Sequence, residues 1–521
     1  VYGLTFGIPV PLVQDEFSYL LGADTFLHGR LTNPPPSFPE FFEASHVLVT
    51  PTYASKYPPG QSLALALGQV LGGHPIWGVW LSCGFFAASL CWMLQAWTPR
   101  RWALAGTSMA IATLGVSTYW AQSYWGGMLA AGGSALLFGG LRRTWRRPRV
   151  VSSVISAVGV VILANTRLYE GLLVCLIPAV LLAWWLVWND RVALRARLVS
   201  WAAPFAAVLL IGGTLMIAYN HALTGSWLTT PHGLFSRQYF GQGVFLFSAL
   251  EEPERRPIAR LASFYDSFRH PPLVGWRALR NAAVNVYGRL PSIIESPLGV
   301  IDHVDGSRST YRALLLWIAA FMAIALQHAW VRLCAAILIV VVLGQSIVWW
   351  WIPHYTAPVV PLVVGVVVLT LARQTRGNPM ARTMGPPVVA LLAILSVSMP
   401  ALLALAQNLD GHTREASERS AETPALTALT KADVVRQLEA QEGSHLVFVS
   451  YEDDGPAGDG EWVYNGADLA TAHIVFAHDL GDAKNAELIA SFPDRRAWHV
   501  SVTKDQRTSR LDASRPWLGT R

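Results

Sequence analysis

The chain is poor in charge and nearly without cysteine. Charged residues make up 14% of its 521 positions and hydrophobic ones 53%. That balance argues against an ordinary soluble domain and fits a polytopic membrane protein. The four cysteines, Cys83, Cys91, Cys175 and Cys334, all fall inside apolar runs. They lack zinc-type spacing, which argues against both a metal finger and a disulfide framework. No long internal repeat occurs. No glycine-rich phosphate fingerprint occurs in the polar C-terminal region, so a nucleotide-binding reading is weak. The net charge is +6, but much of the basic charge sits in short loops between apolar runs. Membrane topology explains that pattern better than nucleic acid does. No signal peptide is visible, and Val1 in place of methionine points to a preceding segment that was cleaved or lies outside this numbering.

What is present is a series of spans. A membrane helix needs about 20 predominantly apolar residues. Runs of that quality lie at approximately 76–97, 102–119, 124–141, 150–168, 170–188, 198–218, 311–329, 331–350, 355–373 and 384–406, and residues 1–12 read as the tail of an earlier one. The expected fold is therefore mainly α, a transmembrane helical bundle of about 10–11 spans. Arginines recur in every second loop: Arg100 and Arg101, then Arg142 to Arg149, then Arg191 to Arg197, then Arg332, then Arg373 to Arg382. This alternation puts those loops in the cytoplasm without a forced inversion. A large soluble protein of buried helices would not be expected to give uninterrupted runs of spanning length. Tryptophans at segment ends, among them Trp77, Trp80, Trp97, Trp102 and Trp349 to Trp351, read as interfacial anchors.

Composition divides the chain. Residues 1–406 form the membrane part, with a first outer loop at 13–75 and a long outer loop at 219–310. Residues 407–430 read as a polar linker, and 431–521 as a small α/β domain. Its strands are expected at 445–450, 472–477 and 497–502, with a helix at 485–491. The 250–290 stretch mixes arginine with leucine, phenylalanine and tryptophan, as a helix lying on lipid would.

The candidate functional residues lie in the outer loops. Asp15-Glu16 follows the N-terminal apolar stub, where a carboxylate pair is costly unless it serves a purpose. Such a pair could deprotonate or orient a hydroxyl, or together bind a divalent cation, although nothing in the sequence requires a metal. A helix-capping role is the plainer alternative. Lys56-Tyr57-Pro58-Pro59-Gly60 holds a lysine on a stiff turn where it could meet a phosphate, unless the prolines merely start a helix. Arg167 suits bidentate phosphate contact, or an ion pair with Glu170 that fastens two helices. Tyr124 and Trp125 could stack on a sugar ring, although an aromatic belt explains most of that turn. His354 could donate to phosphate or sugar, with a structural role slightly favoured, and His232 and Arg237 are candidates from the long outer loop.

These motifs resemble the class C glycosyltransferase superfamily, whose members include protein O-mannosyltransferases, aminoarabinose transferases and oligosaccharyltransferases. The resemblance covers about residues 1–406 and rests on the Asp15-Glu16 pair, the later Lys56-Tyr57-Pro58-Pro59 element and the alternating short loops. It implies Asp15 as base or acceptor-orienting residue and Lys56 as a contact to the phosphate of a lipid-linked donor. The wider strings, including Arg167-Leu168-Tyr169-Glu170-Gly171 and Glu461-Trp462-Val463-Tyr464-Asn465, are similar to a bacterial group classed only as glycosyltransferases. Relatives in that group commonly have proline where this chain has Leu168. The implied partners are a polyprenyl-phosphate sugar, a glycan, lipid or protein acceptor, membrane lipids and an envelope protein complex. The implied site is a bacterial inner membrane with the C-terminal domain in the periplasm. Two other readings stay open. One is a lipid or polysaccharide transporter, for which repeated halves would be expected. The other is a non-catalytic subunit of an envelope complex.

Overall fold

The structure is a computed structural model. It describes residues 8–295 except 12, 116–118, 190–191 and 256, then 328–375, 379–380, 383–385, 387, 430–452, 461–503 and 511–513. The chain is a polytopic helical membrane protein with a small mixed sheet near its C-terminus. Among the described residues, five helices are long and apolar enough to cross a membrane: Ile76–Gln95, Leu168–Trp188, Leu194–Thr224, Ala329–Ser346 and His354–Arg373. Three further expected spans coincide with Arg100–Gly115, Gly127–Arg146 and Val150–Ala164, which fall short in length or hydropathy. The expected spans at 311–329 and 384–406, and nearly all of the linker at 407–430, lie outside the described residues.

In chain order the membrane elements are α1 (Gln14–Leu27), β1 (Val47–Leu48), β2 (Ala54–Ser55), α2 (Pro59–Gly72), α3 (Ile76–Gln95), α4 (Arg100–Gly115), α5 (Gly127–Arg146), α6 (Val150–Ala164), α7 (Leu168–Trp188) and α8 (Leu194–Thr224). Then come α9 (Pro231–Phe235), α10 (Ala259–Ser267), α11 (Gly275–Glu295), α12 (Ala329–Ser346) and α13 (His354–Arg373). Helix α5 is the centre of the bundle. Its glycine- and alanine-rich sequence lowers its hydropathy, yet Ala130, Ala131, Ala135, Leu137 and Phe138 are all buried. Small residues are what membrane helices need for close approach, because lipid offers no hydrophobic gain for helix pairing. A Cβ at Gly159 of α6 would stand 2.4 Å from the Gly133 carbonyl of α5, so the two backbones touch where both residues are glycine.

The first outer loop is more structured than an aqueous loop. It carries α1, the β1–β2 hairpin and α2. Pro59 occupies the first turn of α2, where a missing N–H costs nothing, and Gly73 ends that helix in the left-handed conformation at φ 74.

The C-terminal unit comprises α14 (Lys431–Glu439), β3 (Ser444–Tyr451), β4 (Ile474–His478), α15 (Asp482–Ser491), β5 (Arg495–Val502) and β6 (Leu511–Ala513). The sheet runs β4-β3-β5-β6, with β3 parallel to both neighbours and β6 antiparallel to β5. The three expected strands and the expected helix are present, and β6 is an addition. Val447, Val449, Trp462, Val500 and Val502 form the core of one face. The other face packs Phe448, Val475 and Leu488 against Phe41 and Phe42 of the first outer loop. The C-terminal unit and the Asp15 segment therefore lie on the same side of the membrane.

Candidate active site

Asp15 sits in the first turn of α1, where the helix dipole favours a carboxylate. Its side chain is 18% exposed, and Oδ1 lies 3.3 Å from His46 Nδ1. Burial pushes the carboxyl up, but His46, Lys56 and His354 together hold it well below the usual carboxylate range, so Asp15 is ionised at neutral pH. Burial and the charge of Lys56 in turn lower His46, with Asp15 opposing them. A neutral imidazole beside an anionic carboxylate places its proton on Nδ1, where it donates to Asp15. The Tyr57 hydroxyl approaches the same nitrogen at 3.3 Å.

Among the described residues His46 is the one non-glycine with positive φ, at 67°. A side chain in that region costs roughly 1–3 kcal/mol unless the surroundings fix it. Here they do. The His46 carbonyl accepts from Ser18 Oγ at 2.7 Å and from the Lys56 N–H at 3.3 Å. Ser18 lies one turn after Asp15 on α1, so the same helix holds both halves of the Asp15–His46 pair.

Beside this pair opens a cavity of about 400 Å³, lined by Lys56, Tyr57, Arg167, Tyr169, Glu170 and His232 among others. Its wall includes Tyr19 stacked on Tyr57 at 4.4 Å. Asp15 is at the edge rather than in the lining, and its charge acts on both Lys56 and Arg167. Contact between two helix ends brings the cations together. The Gly60 N–H donates to the Asn165 carbonyl at 2.8 Å, and a Cβ at Gly60 would stand 2.5 Å from that oxygen. The start of α2 thus lies directly on the junction that carries Arg167.

Lys56 is 6% exposed, and burial pushes its ammonium down to about 8, with Asp15 opposing. Its Nζ lies 5.0 Å and 4.9 Å from the Tyr57 and Phe235 ring centroids and has no ion pair or hydrogen bond among the described residues. The Arg167 guanidinium lies over the Tyr355 ring at 4.6 Å and has no carboxylate at ion-pair distance among the described residues. The alternative role, an Arg167–Glu170 ion pair, is therefore not made. Glu170 instead accepts from Gln345 Nε2 at 3.1 Å. His232 is driven down to about 3, by burial first and then by Lys56 and His46, so it is neutral.

The structure therefore gathers Lys56, Tyr57, Arg167, Glu170 and His232 around one cavity with Asp15 at its edge. Other candidates stand elsewhere. Glu16 is a cap: its carboxylate accepts from the Val13 N–H and the Tyr124 N–H, both at 3.0 Å. Asp15 and Glu16 thus face different partners and do not converge on a shared cation. Among the described residues no group of three or more His, Cys, Asp or Glu side chains could hold a metal ion. Tyr124 is buried with its hydroxyl donating to the Pro9 carbonyl at 2.8 Å. Trp125 packs on His354 with ring centroids 4.7 Å apart, and Tyr119 also meets that histidine. None of these three lines the cavity. Arg237 is exposed, pairs with Glu254 at 3.9 Å and lines a separate recess of about 490 Å³. His232 borders both spaces. His46 had no signal in the sequence, because a lone histidine in Ala44-Ser45-His46-Val47 matches no motif.

A cavity lined by Lys56 and Arg167, neither with an ion-pair partner among the described residues, and edged by an ionised carboxylate is thus carried on a polytopic helical membrane bundle. No protein-family model and no curated protein sequence matches the chain. Among solved structures it is similar to ArnT from Cupriavidus metallidurans bound to undecaprenyl phosphate, with TM-score 0.51, 13% identity and coverage of 100% of this chain and 97% of that one. It is likewise similar to the apo state of the same ArnT, with TM-score 0.52, 14% identity and coverage of 97% and 93%.

Proposed function

We propose that the protein transfers a sugar from a polyprenyl-phosphate donor to a hydroxyl of an envelope glycan, lipid or protein, on the periplasmic face of a bacterial inner membrane. The observation that carries this reading is the pair of cations, buried Lys56 and half-buried Arg167, that face one cavity without ion-pair partners among the described residues. An unpaired buried cation is expensive and stays so until an anion arrives. A lipid phosphate at the membrane surface is the anion suited to a cavity opening among membrane helices, and the similar ArnT binds undecaprenyl phosphate.

The chemistry follows from the charges. The acceptor oxygen attacks the anomeric carbon as its proton passes to the Asp15 carboxylate. The bond between the anomeric carbon and the phosphate oxygen breaks, and its electron pair leaves with the polyprenyl phosphate. Lys56 and Arg167 stabilise the charge that develops on that oxygen. Tyr57 and Tyr19 offer aromatic faces beside the donor.

The test is to reconstitute the protein with undecaprenyl-phosphate sugars and isolated envelope material, and to follow release of undecaprenyl phosphate by mass spectrometry. Release is expected from the wild type, and Asp15→Asn should slow it about 10²–10⁴-fold while the lipid still binds. Near-normal turnover by Asp15→Asn removes the base assignment. Absence of undecaprenyl phosphate binding removes the donor reading.

A further inference from the structure

We propose that His46 is the positioning residue of the Asp15 carboxylate, and that Tyr464 of the C-terminal unit holds the two together. Its meaning for catalysis rests on the transferase reading above, but the geometry stands by itself. Tyr464 touches the chain beside each half of the pair. Its ring stacks on Phe17, two residues after Asp15, with centroids 4.3 Å apart and planes 3° from parallel. Its hydroxyl donates to the carbonyl of Ser45, the residue before His46, at 3.1 Å. Further bonds fasten the same surfaces: the Ala467 N–H donates to Asp24 Oδ2 at 2.6 Å, and His478 Nε2 meets the Glu43 carbonyl at 2.6 Å.

The left-handed φ of His46 makes this clamp necessary. A non-glycine residue left to itself relaxes from that region, and relaxation would swing the imidazole away from Asp15. Ser18 and Lys56 fix the His46 carbonyl from the membrane side. Tyr464 fixes the preceding peptide from the C-terminal side. The C-terminal unit, remote in sequence, thereby becomes part of the site's frame.

The titratable and charged groups around the pair are Lys56, Tyr57, His232, His354, Arg167, Tyr19, Tyr265, Tyr355 and Tyr464. Infrared pH titration reads the protonated carboxyl directly and is blind to the histidines among them. The full chain is reconstituted in lipid nanodiscs, and the carboxylic acid band lost in Asp15→Asn is assigned to Asp15. In the wild type its midpoint should lie below the ordinary aspartate value of about 3.9. In His46→Ala it should rise by about 1–2 pH units, the worth of one hydrogen bond to a charged group. His46→Asn should restore most of the shift, because asparagine tolerates the left-handed backbone and offers a donor at a similar place. Tyr464→Phe keeps the stacking and loses the bond to Ser45, so its midpoint should rise by less than in His46→Ala. Tyr464→Ala should rise further than Tyr464→Phe.

An unchanged midpoint in His46→Ala overturns the positioning role, and an unchanged midpoint in both Tyr464 variants overturns the clamp. If His46→Ala does not fold, His46→Asn against the Tyr464 variants decides, since equal midpoints in all of them also overturn the proposal. None of these measurements uses a sugar donor, so failure here is separate from failure of the transferase reading.

Discussion

Lys56 offers the sharpest quantitative test, because its ammonium is predicted to switch within an accessible pH range. With its pKa pushed down to about 8, roughly nine-tenths of Lys56 is charged at pH 7 and roughly one-tenth at pH 9. Only the charged form attracts a phosphate. The dissociation constant for undecaprenyl phosphate should therefore rise about tenfold between pH 7 and pH 9, close to 1.4 kcal/mol. Lys431, also pushed down to about 8, titrates in the same window but does not line the cavity. A lipid phosphate finishes its second ionisation near pH 6. His232 and His46 are already neutral, and Asp15 is already charged. Binding of a fluorescent undecaprenyl phosphate to detergent-purified protein at each pH measures the effect. Lys56→Arg should abolish the slope, because a guanidinium stays charged throughout. Lys56→Ala should weaken binding about ten- to a hundredfold at pH 7, from the loss of about 1.5–3 kcal/mol, and should also lose the slope. A flat wild-type profile, or an equal slope in Lys56→Arg, would show that Lys56 does not meet the phosphate.

Three further outcomes are expected. Gly60→Ala places a methyl group where the Asn165 carbonyl now lies, 2.5 Å away, so it should both destabilise the protein and weaken undecaprenyl phosphate binding by parting Lys56 from Arg167; unchanged affinity would refute the coupling. Glu16→Ala orphans the Val13 and Tyr124 N–H groups and should cost about 1–3 kcal/mol for each that stays dry, lowering the unfolding midpoint in SDS while the affinity of folded protein is kept. In intact spheroplasts a membrane-impermeant maleimide should label His28→Cys and Lys484→Cys but not Arg147→Cys. Labelling of all three, or of Arg147→Cys alone, rejects the periplasmic assignment.

Part of the site was legible because its signals are local. Pro58-Pro59 announces a helix start, and a lysine just ahead of it is held on a short stiff segment. Arg167 and Glu170 stand out because ionisable groups at a membrane junction are costly. The Asp15-Glu16 pair was legible as a pair but not as two different jobs. Adjacent residues on a helix point about 100° apart, and only the packed neighbours tell which carboxylate meets a histidine and which meets two backbone amides. Arg237 stands out for its charge and its loop, but the structure places it exposed on a separate recess, beside Glu254 from a later stretch of the same loop.

The sequence by itself determined the membrane character, the positions of most helices and the strands of the C-terminal unit. Those properties follow from composition and periodicity over windows shorter than a helix. Helix α5 overlaps the expected 124–141 run in spite of its low hydropathy. The tertiary structure alone decided which cations face the cavity, that His46 joins Asp15, and that Tyr464 reaches Ser45 across 419 positions of chain. A hydrogen bond between such distant residues leaves no trace in local pattern, because it depends on the summed directions of every element between them.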